Sequence, residues 1–145
     1  YPEIQIEVIP GITAACSGGA VLGSPLTNDF AVISLSDLLT PWQTIERRLH
    51  GAAQGDFCIC LYNPASKRRT DHLQKACDIL LKERRPETPC GLVRNIGRDG
   101  QTMQIMTLQE LRDTQVDMLT TVFVGNSMTR IIDGHLVTPR GYQGV

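Results

Sequence analysis

Apolar and polar positions alternate over residues 4–9 and then close into the apolar pair Val8-Ile9 before Pro10-Gly11. That pattern predicts a strand ending in a tight turn. Residues 11–22 are small and apolar, as in a buried helix, although Gly18, Gly19 and Gly23 weaken it by propensity. Glycines at those positions fit a close approach by another backbone or by a ligand. Residues 30–35 (FAVISL) read as the next strand, followed by a loop at Ser36-Asp37-Leu38-Leu39. A helix start follows, with Thr40 as N-cap, Pro41 at the first helical position and Gln43 closing a capping box. Trp42, Ile45, Leu49 and Ala52 then share one helical face, and Gly55 follows the helix end.

Residues 57–61 (FCICL) are apolar throughout, which predicts a strand buried on both faces. Tyr62-Asn63-Pro64 ends it, because a residue before proline avoids the helical region. Leu73, Ala76, Cys77, Leu80 and Leu81 form the stripe of another helix, and Pro86 and Pro89 follow it. A short strand over 90–93 leads to a turn at Gly97-Arg98-Asp99-Gly100, and Met103 with Ile105 begins another strand. Thr107 and Glu110 make a second capping box, at the head of a short helix. Residues 121–124 form a strand ending at Gly125-Asn126, and 131–137 fold as a hairpin turning at Asp133-Gly134. Strands and helices alternate along 1–145, without repeat or internal linker. The expectation is one α/β domain with a mixed sheet and helices on its faces.

Composition narrows the class without naming a function. The chain has 145 residues, 41% hydrophobic and 20% charged, with a net charge of −1. It can bury a core, and its charge gives no general pull toward nucleic acid or membrane. Its apolar runs are too short to span a bilayer, and no signal peptide opens it. Five cysteines, Cys16, Cys58, Cys60, Cys77 and Cys90, form an odd set, and four of them sit in apolar runs or on helix faces. They read as buried core thiols of a reducing, cytoplasmic compartment rather than a disulfide framework. His50, His72 and His135 lie far apart and lack ligand spacing, so no metal site is expected.

Candidate chemistry lies where strands end. In open α/β sheets, ligands bind outside the carboxyl ends of the strands. Thr13-Ala14, Tyr62-Asn63-Pro64 and Arg94-Asn95-Ile96-Gly97 occupy three such ends, with Ser36-Asp37 and Gly125-Asn126 at two more. Together they predict a rim of small polar groups on one edge. The chain carries no nucleophile elbow, phosphate loop or zinc helix. A reaction that needs mainly positioning, such as methyl transfer from an already activated sulfonium donor, leaves this kind of pattern. Basic residues cluster at Arg47-Arg48, Lys67-Arg68-Arg69 and 82–85. The last group reads as cations completing a helix C-terminus. Lys67-Arg68-Arg69 sits instead at a helix start, where an anionic partner would offset the dipole. Arg94, Arg98 and Arg140 flank turns; each taken singly reads as a solvated side chain, while a substrate with several carboxylates would use such groups.

The segments IPGITAA, SLSDLLTPW, LYNPASKRR, FVGNS and TPRGY, in this order, strongly resemble the tetrapyrrole methylase family, across nearly the whole chain. Within it they are similar to the members that methylate C17 of precorrin-3B or cobalt-factor III. The resemblance implies two α/β domains with the donor S-adenosylmethionine between them. The family's glycine-rich loop and Gly-Asp-Pro segment belong to the amino-terminal domain, and this sequence has neither. It therefore resembles the carboxy-terminal, mixed-sheet domain, which by itself would hold the donor weakly or not at all. By motif, the implied donor contacts are Thr13, Ala14, Asn63, Asn95 and Gly97, with Asn63 standing where relatives often carry methionine. The implied substrate contacts are Ser36, Asp37, Arg68 and Arg98, facing the acetate and propionate arms of a precorrin or cobalt-factor tetrapyrrole. Methylation of a ring carbon with ring contraction, in cobalamin synthesis, by a homodimer, is the implied activity. Two other readings remain open on the residues alone: methylation at another tetrapyrrole position, and a non-catalytic dimerisation or interaction module.

Overall fold

A computed structural model describes residues 1–66 and 69–141. In chain order its elements are α1 (Ala14–Leu22), β1 (Gly23–Ser24), β2 (Phe30–Ser34), α2 (Trp42–Gln54), β3 (Cys58–Tyr62), α3 (His72–Leu80), β4 (Pro89–Arg94), β5 (Thr102–Thr107), α4 (Leu108–Arg112), β6 (Thr120–Val124), β7 (Arg130–Ile132) and β8 (His135–Val137). Five strands form the main sheet in the order β2-β3-β6-β4-β5, and a smaller sheet runs β1-β8-β7. β2 and β3 pair in parallel, whereas β6 is antiparallel to both β3 and β4, and β5 is antiparallel to β4. β2, β3 and β4 therefore point one way and end on one edge; β5 and β6 end on the other.

Side chains alternate across each strand, and that alternation builds two core layers. Ile33, Ile59, Leu61, Leu92, Val122 and Val124 face α2, α3 and α4, where they meet Ile45, Leu49, Leu73, Ala76, Leu80, Leu108 and Leu111. Cys60, Val93 and Phe123 point to the opposite face and pack with Ala15, Leu22 and Leu136. Full burial of one such leucine contributes roughly 2 kcal/mol. Both α2 and α3 bury the stripes their periodicity predicts. The mixed α/β architecture with helices on both sheet faces is the one the sequence implies.

Close packing explains the small residues of α1. A Cβ on Gly18 would lie 2.9 Å from the Phe123 ring and 3.0 Å from Ile96. Gly23 has φ +131°, and a Cβ there would lie 2.9 Å from the Leu136 carbonyl oxygen of the paired strand. The approaching groups are this chain's own side chains and backbone. The hairpin also forms as expected: Asp133 (φ 48°) and Gly134 (φ 76°) both take positive φ, as a type I′ turn requires. Thr107 and Glu110 make the predicted capping box at α4.

Four sequence expectations fail, each for a physical reason. Residues 4–9 form no strand, because no strand edge of the described residues pairs with them; Ile6 and Val8 stand exposed. The capping box at Thr40 does not form. Pro41 is extended (ψ 141°) and is itself the N-cap, so its carbonyl accepts from Thr44 and Ile45, and Thr40 lies one residue too early to cap. Cys16 is exposed at the first turn of α1, while the other four cysteines are buried. The basic run 82–85 lies beyond the end of α3, so it does not complete that helix's dipole.

Candidate functional site

The shared edge at which β2, β3 and β4 end gathers most of the sequence-predicted residues. α1 begins there with Thr13 as N-cap, but the Thr13 hydroxyl does not cap its own helix. It hydrogen-bonds the Tyr62 hydroxyl at the end of β3. The same phenol oxygen accepts the Ala15 amide hydrogen at 2.7 Å, so a tyrosine from the sheet takes over the cap. Thr13 remains exposed and Ala14 partly so, leaving a small-residue wall open to solvent. Asn63 follows with φ 52°, a left-handed conformation that asparagine tolerates. Its side-chain amide donates to Ser34 Oγ at 3.0 Å, joining the end of β3 to the end of β2.

The turn after β4 closes a second side of this wall. Asn95 (φ 54°) and Gly97 (φ 69°) are both left-handed. The Asn95 side-chain amide donates to the Gly100 carbonyl at 3.3 Å, and the Gly97 amide donates to Gln101 Oε1 at 2.7 Å. Nothing approaches the position a Gly97 Cβ would take, so this surface is open. Ile96 packs against Gly18, which fixes the turn beside α1. Thr13, Ala14, Asn63, Asn95 and Gly97 thus lie along one edge, with the two asparagine side chains already engaged in bracing it.

Ser36 and Asp37 are engaged as well. Arg69 Nη1 donates to Ser36 Oγ at 2.6 Å and lies 3.4 Å from Asp37 Oδ1. His72 places Nε2 3.1 Å from Asp37 Oδ2 and Nδ1 3.1 Å from Asp71 Oδ1. Beyond this ion-pair contact, Nε2 has no hydrogen-bond partner among the described residues, although the imidazole is buried. Its ring stands edge-on to Trp42 at 4.9 Å. The neighbouring imidazole holds the Asp37 carboxyl below the usual carboxylate range, and Arg69 acts in the same sense. Arg69, the described member of the basic segment, therefore finds an anionic partner within the chain, ahead of the start of α3 at His72. Arg98 is exposed and makes no ion pair among the described residues. Arg68 lies outside the described residues, as does Tyr142 of the TPRGY segment. Arg94 is paired with Asp117 at 2.6 Å.

Gly125-Asn126 does not join this rim. β6 runs antiparallel to β3, so its carboxyl end lies on the far edge. There Arg84 is buried and donates to Asp56 Oδ1 at 3.0 Å, to the Phe57 carbonyl at 2.8 Å and to the Gly125 carbonyl at 3.0 Å. A cleft of about 580 Å³ opens beside it, lined by acids and bases alike, including Glu83, Glu87, Arg85 and Arg130. Sequence reasoning missed Tyr62 as a cap, His72 as Asp37's neighbour and Arg84 as a buried clamp. Each acts on a partner distant in sequence. The one local signal was a tyrosine closing an otherwise wholly apolar strand.

Of the five thiols only that of Cys16, at the first turn of α1, is exposed. Burial pushes the thiols of Cys60 and Cys77 up to about 12, which leaves them inert. No group of three potential metal ligands occurs among the described residues. What the edge offers is shape: small side chains, an open glycine turn and braced asparagines, which suit holding a ligand more than proton transfer.

Known proteins resemble the chain in sequence and in fold. The chain is 49% identical over 140 residues to a cobalt-factor III methyltransferase of Priestia megaterium, covering 97% of this chain and 26% of that protein. It is 44% identical over 140 residues to a probable cobalt-factor III C(17)-methyltransferase of Salmonella typhimurium, covering 97% of this chain and 58% of the relative. The crystal structure of the methyltransferase CobJ superposes with a TM-score of 0.84 at 37% identity, over 93% of this chain and 56% of that one. The chain thus spans little more than half the length of these proteins, or less. The sequence profile of the tetrapyrrole (corrin/porphyrin) methylases matches residues 1–112, and this match places the chain in the tetrapyrrole methylase family.

Proposed function

We propose that the chain is the carboxy-terminal domain of an S-adenosylmethionine-dependent methyltransferase of cobalamin synthesis. Its reaction is methylation of a precorrin or cobalt-factor ring carbon, C17, with contraction of the macrocycle. The observation that carries this reading is the identity of 44–49% to cobalt-factor III methyltransferases over 97% of the chain. The chain covers 58% of the Salmonella relative; in this reading the remainder of the protein supplies the other wall of the donor site. The parent enzyme works in the cytoplasm as a homodimer.

The residues present fit a donor half-site. Thr13 and Ala14 offer an accessible wall of small groups at a helix start. Gly97 leaves open the space a side chain would fill. Asn63 and Asn95, tied to Ser34 and Gly100, keep the rim in place. The donor supplies an electrophilic methyl group on sulfur, and the chain's part is to hold that methyl in line with the substrate carbon. Such orientation lowers the barrier without a protein acid or base at the reacting carbon. Arg68 and Arg98 meet substrate carboxylates in this reading, whereas Ser36 and Asp37 act through the loop that carries them.

The test is kinetic. In the full-length enzyme, Thr13→Leu is expected to raise the donor KM about tenfold or more while leaving the melting temperature nearly unchanged. Unchanged donor kinetics would overturn the assignment of Thr13. By calorimetry the 145-residue chain alone is expected to bind S-adenosylmethionine more weakly than micromolar, and micromolar binding would refute the half-site.

A further inference from the structure

Leu38 and Leu39 are 81% and 93% exposed, side by side in the loop between β2 and α2. Two adjacent leucines in water are unremarkable on a mobile loop. This loop is held. Asp37, directly before them, meets Arg69 at 3.4 Å and His72 at 3.1 Å. Ser36 accepts from Arg69 at 2.6 Å, and its own amide donates to Ser34 Oγ at 3.2 Å. Arg69 is fixed in turn: it exchanges both backbone hydrogen bonds with Ser66 (3.0 and 3.1 Å), and its Nε donates to Ser66 Oγ. His72 is seated against Trp42 and Asp71, and Lys75 pairs with Asp71 at 2.6 Å.

The loop is also continuous with the donor edge. The Leu35 amide donates to the Tyr62 carbonyl at 2.8 Å, and Asn63 reaches Ser34 at 3.0 Å. Thr13, Tyr62, Asn63, Ser34, Ser36, Arg69 and Asp37 thus form one chain of hydrogen bonds and adjacent residues. Whatever rests on Leu38 and Leu39 is registered against the wall at Thr13.

We propose that Asp37, Arg69 and His72 are positioning residues that hold Leu38 and Leu39 as an apolar lip for the flat face of the tetrapyrrole macrocycle. The proposal rests on the methyltransferase reading above. A macrocycle is a broad apolar disc with charged arms at its rim, so it needs an apolar platform as well as cations. Pre-ordering the platform removes the cost of ordering it on binding. The clamp spends its charges within the chain, so the leucines, not Asp37, meet the ligand.

The experiment uses the full-length protein, with uroporphyrin III as the tetrapyrrole probe, followed by absorbance, and S-adenosylhomocysteine followed by calorimetry. The double variant L38S/L39S is expected to weaken porphyrin binding about tenfold or more and to leave S-adenosylhomocysteine binding unchanged. Asp37→Asn is expected to weaken porphyrin binding several-fold in the native background but to add nothing in the L38S/L39S background, since it acts through the leucines. A purely structural Asp37 would give additive losses and weaken both ligands. If the native protein binds S-adenosylhomocysteine but no porphyrin, the tetrapyrrole reading falls and this proposal with it. If it binds porphyrin and L38S/L39S binds equally well, the lip alone is overturned. A lowered melting temperature of L38S/L39S with intact porphyrin binding would place the leucines against another part of the protein, and would also overturn it.

Discussion

The Tyr62 hydroxyl accepts the Ala15 amide hydrogen at 2.7 Å and pairs with the Thr13 hydroxyl, so the last residue of β3 caps the helix that starts 48 positions earlier. One phenol thereby joins the helix start to the sheet edge, and the shape of the proposed donor wall depends on it. Tyr62→Phe removes both bonds and leaves the Ala15 amide without a partner. The expected loss is about 1–2 kcal/mol, read as a lower urea midpoint at unchanged slope. In the full-length enzyme the donor KM should rise with it. An unshifted midpoint would show that α1 finds another cap.

Gly18 and Gly19 are neighbours in α1 with opposite expected behaviour. Alanine in place of either gains up to about 1 kcal/mol of helix propensity. At Gly18 the new Cβ would meet Phe123 and Ile96 at 2.9 and 3.0 Å; overpacking of that kind costs about 1–3 kcal/mol. At Gly19 the nearest atom is 3.7 Å away, an ordinary contact. Thermal unfolding should find Gly18→Ala destabilised and Gly19→Ala neutral or stabilised. Because Ile96 is one of the two side chains met, Gly18→Ala should also disturb the turn at Asn95 and Gly97.

Arg84 serves three acceptors while buried, and burial draws its pKa down despite Asp56 beside it. Arg84→Met orphans the Phe57 and Gly125 carbonyls, while the half-exposed Asp56 keeps its hydrogen bonds from Ser127. A loss of about 2–3 kcal/mol is expected from the two carbonyls, without effect on donor affinity, since the clamp lies on the far edge. Arg84→Lys cannot reach three acceptors with one ammonium and should recover less than half. Native-like stability in Arg84→Met would mean that water replaces the guanidinium.

Acid should act through Asp37. The His72 imidazole holds its carboxyl below the ordinary value of 3.8, so the folded chain binds that proton less readily than the unfolded one. Its contribution to stability is therefore complete above the ordinary carboxylate range and is lost as pH falls through the lowered folded value. The gap in melting temperature between the native chain and Asp37→Asn should shrink between about pH 5 and pH 3. A gap independent of pH would show that the charge of Asp37 contributes nothing.

Most elements were legible because their signals are local. The apolar run 57–61, the helical stripes ending at Ala52 and, but for Leu81 just past the helix, at Leu80, the Thr107 box and the Asp133-Gly134 turn stand in the sequence and in the fold. The strand expected over 4–9 was not, because alternation shows only that a segment is suited to a sheet, and pairing needs a partner edge. Thr40 failed as a cap by one position, set by the extended backbone of Pro41. The rim was legible at Thr13, Asn63 and Asn95, which follow their strands or begin a helix. It was wrong at Asn126, because strand direction is a property of the sheet.

By itself the sequence determined the period of each element, the turns that close them and, through its motifs, the family. These rest on interactions between residues a few positions apart, so short windows carry them. Only the tertiary structure decided that β6 runs against β3, that Tyr62 caps α1, that Arg69 and His72 hold Asp37, and that Arg84 is a buried clamp. Those relationships join residues far apart in the chain. They exist only once hydrophobic burial has fixed which faces meet, and no local pattern of side chains encodes their geometry.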